Sequence, residues 1–192
     1  MQTKLILASG SPRRRELLDR LGVAFDVITR NVDESIIAGE SPSELVQRLS
    51  KLKAMAVASD HNDAVILAAD TVVALDGKIM GKPHDRDEAF SFLSTLNGRT
   101  HEVFSGICVI NKGIPSSEVV CTRVTFGHFD EEILKAYIAT GEGDDKAGAY
   151  AIQGQGAFLI STILGSPTNV IGLPMQELTK LLIKAEIYPF SR

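Results

Sequence analysis

The segment that most restricts the fold is a run of apolar residues from Ala64 to Leu75, AVILAADTVVAL, which Asp70 and Thr71 interrupt. A continuous apolar run that is rich in β-branched residues is typical of a strand buried on both faces. Asp76-Gly77 follows it, a dipeptide that is favoured in two-residue hairpin turns. The segment therefore predicts a buried strand that turns back at once.

A long helix is predicted before this strand. Ser41 and Glu44 have the spacing of a capping box, with Pro42 just after the cap. The expected buried face of this helix consists of apolar residues at helical spacing, namely Leu45, Leu49, Leu52, Met55 and Ala56.

Strand-like and helix-like segments alternate early in the chain, and consecutive strands come later. This order favours an α/β fold with a mixed, twisted sheet and flanking helices. The other predicted elements are strands over 5–8, 25–29, 101–110 and 118–126, and helices from Pro12 to about Leu21, from Asp85 to about Leu96, from Asp130 to about Ala139 and after Pro174.

Composition narrows the class of protein. The 192 residues, 44% hydrophobic and 23% charged, fit a single globular domain over 1–192, in which two lobes are possible. A net charge of −4 disfavours a partner that is a nucleic acid polymer. No secretory signal and no apolar run of about 18 residues is seen, so we expect no membrane segment and a cytoplasmic location. There, Cys108 and Cys121 are expected to be buried, reduced thiols, and the histidines show no zinc-ligand spacing.

Three arginines lie in the first turn of the first predicted helix, directly after Ser9-Gly10-Ser11-Pro12. A helix N-terminus is already electropositive, so each cation there costs about 0.3–1 kcal/mol. The free N–H groups of such a strand-to-helix turn bind phosphate, and arginine adds bidentate contacts. The pattern predicts an anion site, with solvated side chains as the alternative. Arg13 is the preferred ligand and Arg14 the second, whereas Arg15 is expected to be solvated.

Two carboxylates are candidates for holding a metal ion. Asp70 lies among apolar neighbours, at what we expect to be a strand end, and needs an ion-pair partner, a metal or hydrogen bonds there. Glu34 belongs to an acidic pair, Asp33-Glu34, in a loop after the second strand. Carboxylates from separate loops can hold Mg²⁺ while it bridges phosphate oxygens. A turn role for Asp70 and a solvated loop for Glu34 are the alternatives.

Three further polar residues complete the set. Lys53 lies on the long helix, Lys82 lies between Gly81 and Pro83, and Gln153 lies in the glycine-flanked segment AIQGQG, where an amide can read a base edge. Each has a structural or solvated role as its alternative. The chain has neither a Walker loop nor a dinucleotide-binding fingerprint, which disfavours nucleotide kinases and Rossmann dehydrogenases.

Eight motifs in one order span nearly the whole chain: LASGSPRRRELL (7–18), VDES (32–35), KA (53–54), AADTVV (68–73), GKP (81–83), LNGRTHEVFSG (96–106), DKAGAYAIQGQGAFLI (145–160) and NVIGLP (169–174). In them the chain resembles the Maf family of nucleoside triphosphate pyrophosphatases. The resemblance implies hydrolysis of a nucleoside triphosphate to the monophosphate and pyrophosphate with a divalent metal, Mg²⁺ or Mn²⁺. It also implies a two-lobed fold similar to the inosine-triphosphate pyrophosphatases, with the substrate in a cleft between the lobes, and often a homodimer.

The resemblance also implies residue roles. Asp70 matches the family's catalytic acid, with Arg13, Glu34, Lys53 and Lys82 at the other polar active-site positions. The positions that set substrate choice are matched by Arg13, Thr71 and Gln153, and we add Ser9 and Arg14 to the substrate-binding set.

The segment DKAGAYAIQG is similar to the branch of the family that acts on dTTP and UTP. The amide of Gln153, both donor and acceptor, suits the imide edge of uracil or thymine. Gly143 stands where the family usually has proline, which predicts a more mobile loop.

We expect Asp70, with Glu34, to position a metal ion and activate a water for in-line attack on the α-phosphorus, while Arg13, Lys53 and Lys82 hold the triphosphate. The sequence leaves open whether Asp70 is a base or a metal ligand. A non-catalytic nucleotide sensor in cell division is the alternative from another class. A pyrophosphatase for damaged or modified purine nucleotides is the alternative enzyme.

Overall fold

A mixed sheet organises the computed structural model, which describes residues 4–190. Its described strands are β1 (Leu5–Leu7), β2 (Asp26–Val27), β3 (Val65–Leu75), β4 (Lys78–Met80), β5 (Thr100–Asn111), β6 (Ile114–Phe126) and β7 (Ile160–Leu164). The strand order is β2-β1-β3-β5-β6-β7, with β4 paired to β3. β1 is parallel to β2 and β3, whereas β3–β4 and β6–β7 are antiparallel. The predicted mixed α/β fold class is confirmed.

Apart from a short helix at Pro167–Ile171, which no sequence signal predicted, the α-helices begin where the sequence signals indicate. They are α1 (Pro12–Asp19), α2 (Pro42–Ala58), α3 (Arg86–Leu96), α4 (Glu131–Ala139), α5 (Pro167–Ile171) and α6 (Met175–Lys184), with short 3-10 helices at Ala147–Ala149 and Gln155–Leu159. The capping box of Ser41 and Glu44 is present, and the side chain of Asp85 accepts a hydrogen bond from the N–H of Glu88. Between residues 4 and 190, no helix is both long and apolar enough to cross a membrane.

The buried face of α2 differs in part from the predicted one. Leu45 and Leu49 are buried, but Leu52 and Met55 are 36% and 52% exposed, so these two assignments were wrong. The buried stripe continues instead through Ala54 and Val57. The reason is a close approach between α2 and β5. A Cβ atom added to Gly106 would lie 2.2 Å from the carbonyl oxygen of Val46, so only glycine allows this contact.

The described residues form two compact units. The first unit contains residues 4–70, 105–120 and 172–190, and the second contains 71–104 and 121–171. Ile6, Ile66 and Cys108 belong to the core of the first unit. The two cysteines form no disulfide. Cys121 is exposed, contrary to the expectation of a buried thiol, because it occupies one of the exposed positions of β6.

His101 belongs to the buried interior of the second unit. Its Nε2 atom shares a 2.8 Å hydrogen bond with the hydroxyl of Tyr150, and its ring packs edge-on against Phe126, with 4.9 Å between the centroids. The residue is 1% exposed. Burial lowers the pKa of His101 from 6.5 to about 4, because the charged imidazole loses its hydration. His101 is therefore neutral in the folded protein near pH 7.

We predict that the stability of the protein falls as the pH is lowered from about 6.5 to 4. In that range the unfolded chain takes up a proton at His101 that the folded chain does not, which costs roughly 3 kcal/mol by pH 4 for this shift. Urea unfolding at several pH values, compared with His101→Gln, measures it. The wild type should lose more stability than the variant between these pH values, and equal losses would contradict the prediction.

Candidate active site

An ion-paired cluster of three side chains lies in the first unit. The ammonium of Lys53 donates to Glu34 Oε2 at 2.6 Å and to Asp70 Oδ1 at 2.7 Å. Lys53 comes from α2, Asp70 from β3, and Glu34 from the loop between β2 and α2. The side chains of Lys53 and Asp70 are 16% and 10% exposed, whereas that of Glu34 is 56% exposed. The cluster thus has a buried side at Asp70 and a solvent-facing side at Glu34.

The position of Asp70 in the sheet differs from the expected strand end. β3 continues to Leu75, because Thr71 and the two valines after it extend the run of β-branched residues. The end that matters belongs to the neighbouring parallel strand. β1 stops at Leu7, which pairs with Leu67, so Asp70 lies three residues past the carboxyl end of β1. Ligand sites in open α/β sheets collect at such ends.

Ser9 and Arg14 are brought together in the turn after β1. The guanidinium of Arg14 donates to Ser9 Oγ at 3.0 Å and to the carbonyl oxygen of Gly172 at 2.9 Å. The N–H of Ser11 also donates to Ser9 Oγ, at 3.4 Å, while the hydroxyl of Ser11 does not cap α1. The hydroxyl of Ser9 therefore connects the backbone of the predicted anion-binding turn to the side chain of Arg14.

The electrostatics link Arg14 to the carboxylate cluster. Burial lowers the pKa of Arg14 from its ordinary value, whereas the negative charges of Asp70 and Glu34 raise it. Arg15 is exposed, as predicted, and Arg13 is half-buried. The structure thus fixes Arg14 by hydrogen bonds to Ser9 and Gly172, and the role of Arg13 as first ligand stays a prediction.

A second ion pair, which the sequence reasoning missed, holds the loop that carries Glu34. Arg48 Nε donates to Glu40 Oε1 at 2.6 Å, and Arg48 Nη2 donates to Glu40 Oε2 at 2.8 Å and to the carbonyl oxygen of Ser35 at 3.0 Å. The hydrogen bonds from Arg48 hold the pKa of Glu40 below its ordinary value. No spacing rule points to this pair, because one partner is in a loop and the other in a helix.

The remaining predicted site residues belong to the second unit. Thr71 follows Asp70 in β3 and is half-buried. Lys82 is exposed just after β4, and the carbonyl oxygen of its neighbour Gly81 accepts a hydrogen bond from the N–H of Gly148 at 3.0 Å. Gln153 is half-buried in a segment, residues 150–154, that has no helix or strand. Their roles toward a substrate stay predictions.

Gly143 permits a close backbone approach in the second unit. It is buried, and a Cβ atom at this position would lie 2.1 Å from the carbonyl oxygen of Ala149. A proline, which the family usually has here, would collide with that oxygen unless the loop moved. The mobility predicted for this loop stays a prediction.

The donor set suits a divalent cation that arrives with phosphate groups. Asp70 and Glu34 offer carboxylate oxygens, the ligands that Mg²⁺ and Mn²⁺ prefer. No group of three or more histidine, cysteine, aspartate or glutamate side chains within residues 4–190 could hold a metal ion. Mg²⁺ is commonly bound by one or two carboxylates together with substrate phosphates, so the pair fits that arrangement.

Two solved structures share the fold over almost the whole chain. The Staphylococcus aureus Ham1 protein aligns with a TM-score of 0.51 and 15% identity, over 96% of this chain and 100% of that chain. A HAM1 protein from Coxiella burnetii aligns with the same TM-score and coverage at 14% identity. At 14–15% sequence identity, these two structures support the fold and nothing about the activity.

Proteins found by sequence comparison have a much higher identity to this chain than these two structures do. A dTTP/UTP pyrophosphatase of Nitratidesulfovibrio vulgaris is 53% identical over 182 residues, which cover 94% of this chain and 87% of that protein. One from Myxococcus xanthus is 48% identical over 184 residues, covering 96% and 93%. The family model described as "Maf-like protein" matches residues 4–185. This match confirms the resemblance drawn from the eight motifs, and the chain belongs to the Maf-like protein family.

Proposed function

We propose that this protein hydrolyses dTTP and UTP between the α- and β-phosphates, giving the nucleoside monophosphate and pyrophosphate. The observation that carries the proposal is the cluster in which Lys53 joins the buried carboxylate of Asp70 to the exposed carboxylate of Glu34. The names of the relatives, dTTP/UTP pyrophosphatases at 48% and 53% identity, support the same activity. They favour an enzyme over a non-catalytic nucleotide sensor, which would not need the two carboxylates.

In this proposal Asp70 accepts a proton from the attacking water. The water oxygen forms a bond to the α-phosphorus, the bond between that phosphorus and the bridging oxygen breaks, and pyrophosphate leaves with the electron pair. The hydrogen bond from Lys53 to Oδ1 fixes the direction of the Asp70 carboxylate, which supports its use as a base. Lys53 belongs to α2 and Asp70 to β3. Because both residues lie on regular elements, their relative position does not depend on a bound ligand.

Basic side chains would balance the charge of the triphosphate. Arg14 is held by Ser9 at the start of α1, where backbone N–H groups and the helix dipole also favour an anion. Lys53 and, by the family resemblance, Arg13 and Lys82 add positive charge for the leaving pyrophosphate. Positioning and electrostatic stabilisation account for most of the catalysis of phosphoryl transfer, so a set of basic side chains is what the reaction requires.

Asp70 and Glu34 would hold a divalent metal, Mg²⁺ or Mn²⁺, together with the phosphates. Such an ion supplies Lewis-acid polarisation of a phosphoryl oxygen and lowers the pKa of a bound water.

We also propose a cytoplasmic location, since the proposed substrates are nucleotides kept inside cells. The homodimer stays a prediction from the family resemblance.

A nucleotide screen tests the activity. We expect dTTP and UTP, with Mg²⁺ or Mn²⁺, to be hydrolysed faster than CTP, the common purine triphosphates or modified ones such as inosine triphosphate. The products should be the monophosphate and pyrophosphate, separated by ion-exchange chromatography. Orthophosphate and a diphosphate as products would contradict the proposal, binding without turnover at any metal would favour the sensor, and a preference for modified purines would favour the alternative enzyme.

Substitutions in the cluster test its role. Asp70→Asn keeps the size of the side chain but loses the proton acceptor, so we expect kcat to fall by about 10²–10⁴-fold. Lys53→Met should also lower kcat strongly, because both carboxylates lose their partner. Lys51→Met, on the exposed side of the same helix, is the matched control and should keep turnover near that of the wild type. Unchanged kcat in Asp70→Asn would exclude this mechanism.

A further inference from the structure

A further carboxylate, that of Glu142 in the second unit, is surrounded by hydrogen-bond donors. Its Oε1 atom accepts from the N–H of Gln155 at 2.8 Å, and its Oε2 atom accepts from the N–H of Gly156 at 2.7 Å and from the hydroxyl of Tyr137 at 3.0 Å. The same hydroxyl accepts from the N–H of Ala151 at 3.3 Å. Glu142 and Tyr137 therefore bind the backbone on both sides of Gln153.

The two glycines around Gln155 are explained by this pair. Gly154 has a φ of +123°, and a Cβ atom there would lie 2.2 Å from Glu142 Oε1. A Cβ atom at Gly156 would lie 2.6 Å from the hydroxyl oxygen of Tyr137. Side chains at either position would push the segment away from the carboxylate, so the glycines and the pair form one arrangement.

The ionisation states agree with these donor directions. Burial raises the pKa of Glu142, but the N–H groups of Gly156 and Gln155 and the hydroxyl of Tyr137 outweigh it, so the pKa lies below its ordinary value. Burial and the neighbouring carboxylate raise the pKa of Tyr137. At neutral pH, Glu142 is thus an acceptor in both oxygens and Tyr137 a phenol that donates to it.

We propose that Glu142, together with Tyr137, is a positioning residue that fixes Gln153 for recognition of the base. Residues 150–154 have no helix or strand, so no regular hydrogen-bond ladder orients Gln153, and the bonds at Ala151 and Gln155 take that place. Hydrogen bonds to a base edge depend on placement within fractions of an ångström. The inference rests on the proposed function, in which Gln153 reads uracil or thymine.

Glu142→Gln tests the inference, because an amide of the same length cannot accept at both of its ends. One N–H, of Gln155 or Gly156, would then face another donor. The informative quantity is the ratio of kcat/KM for UTP to that for CTP, which differ only at the base edge. We expect this ratio to fall about tenfold, the scale of one lost hydrogen bond to a charged group. The change should lie in KM for UTP, with kcat kept, because the reacting groups of the first unit are unaltered.

Two further variants separate positioning from general stability. Tyr137→Phe removes only the hydroxyl and should lower the ratio less than Glu142→Gln, and it serves as the test if Glu142→Gln does not fold. Glu132→Gln, an exposed glutamate on α4 in the same unit, is the matched control and should leave the ratio unchanged. Thermal unfolding is measured in parallel. A lower melting temperature with an unchanged ratio in Glu142→Gln and Tyr137→Phe would overturn the inference.

A double-mutant cycle with Gln153→Ala completes the experiment. If Glu142 acts through Gln153, Glu142→Gln should not lower the ratio further in the Gln153→Ala background. Additive effects would overturn the inference while leaving the proposed function intact. An unchanged ratio in Gln153→Ala alone would instead show that Gln153 does not read the base, which removes that part of the proposed function and the inference with it.

Discussion

The hydrogen-bonded bridge of Lys53 between Asp70 and Glu34 is the interaction on which the rest of the site depends. A carboxylate that is 10% exposed within a buried strand is strongly destabilising unless a cation or several donors satisfy it. Lys53 reaches it from α2, which lies close to the sheet at the approach of Val46 to Gly106. The buried stripe of α2, the glycine in β5 and the geometry of the ion-paired cluster therefore belong to one packing arrangement.

The carboxylates of Asp70 and Glu142 receive different kinds of hydrogen-bond donor. Asp70 is satisfied by a side-chain cation, which leaves its second oxygen available for a water or a metal ion. Glu142 has both oxygens satisfied by backbone N–H groups and a phenol, which leaves it no proton to move and makes it a fixed point for the chain around it. The kind of donor that each carboxylate receives thus agrees with the two proposed roles, proton acceptor for Asp70 and positioning residue for Glu142.

Local sequence signals, such as helix caps and turn residues, predicted most of the helices and strands. They did not predict the contacts between distant parts of the chain. The capping box at Ser41, the hairpin at Asp76-Gly77 and the cap at Asp85 each act within a few residues, and all occur as predicted. The exposure of Leu52 and Cys121 depends on which face of an element meets its neighbour. The pairs Arg48–Glu40 and Tyr137–Glu142 join a helix to a loop, and no spacing rule covers such pairs. Local patterns singled out Glu34, Lys53 and Asp70 as candidates, the family resemblance supplied their roles, and the structure adds how the three side chains meet.

Attack of water on the α-phosphorus is the central step of the proposed reaction, and an isotope label shows where it occurs. dTTP would be hydrolysed in a single turnover by excess enzyme in water enriched in oxygen-18, and both products analysed by mass spectrometry. We expect one labelled oxygen in the thymidine monophosphate and none in the pyrophosphate. A label in the pyrophosphate would place the attack at the β-phosphorus and exclude the proposed reaction.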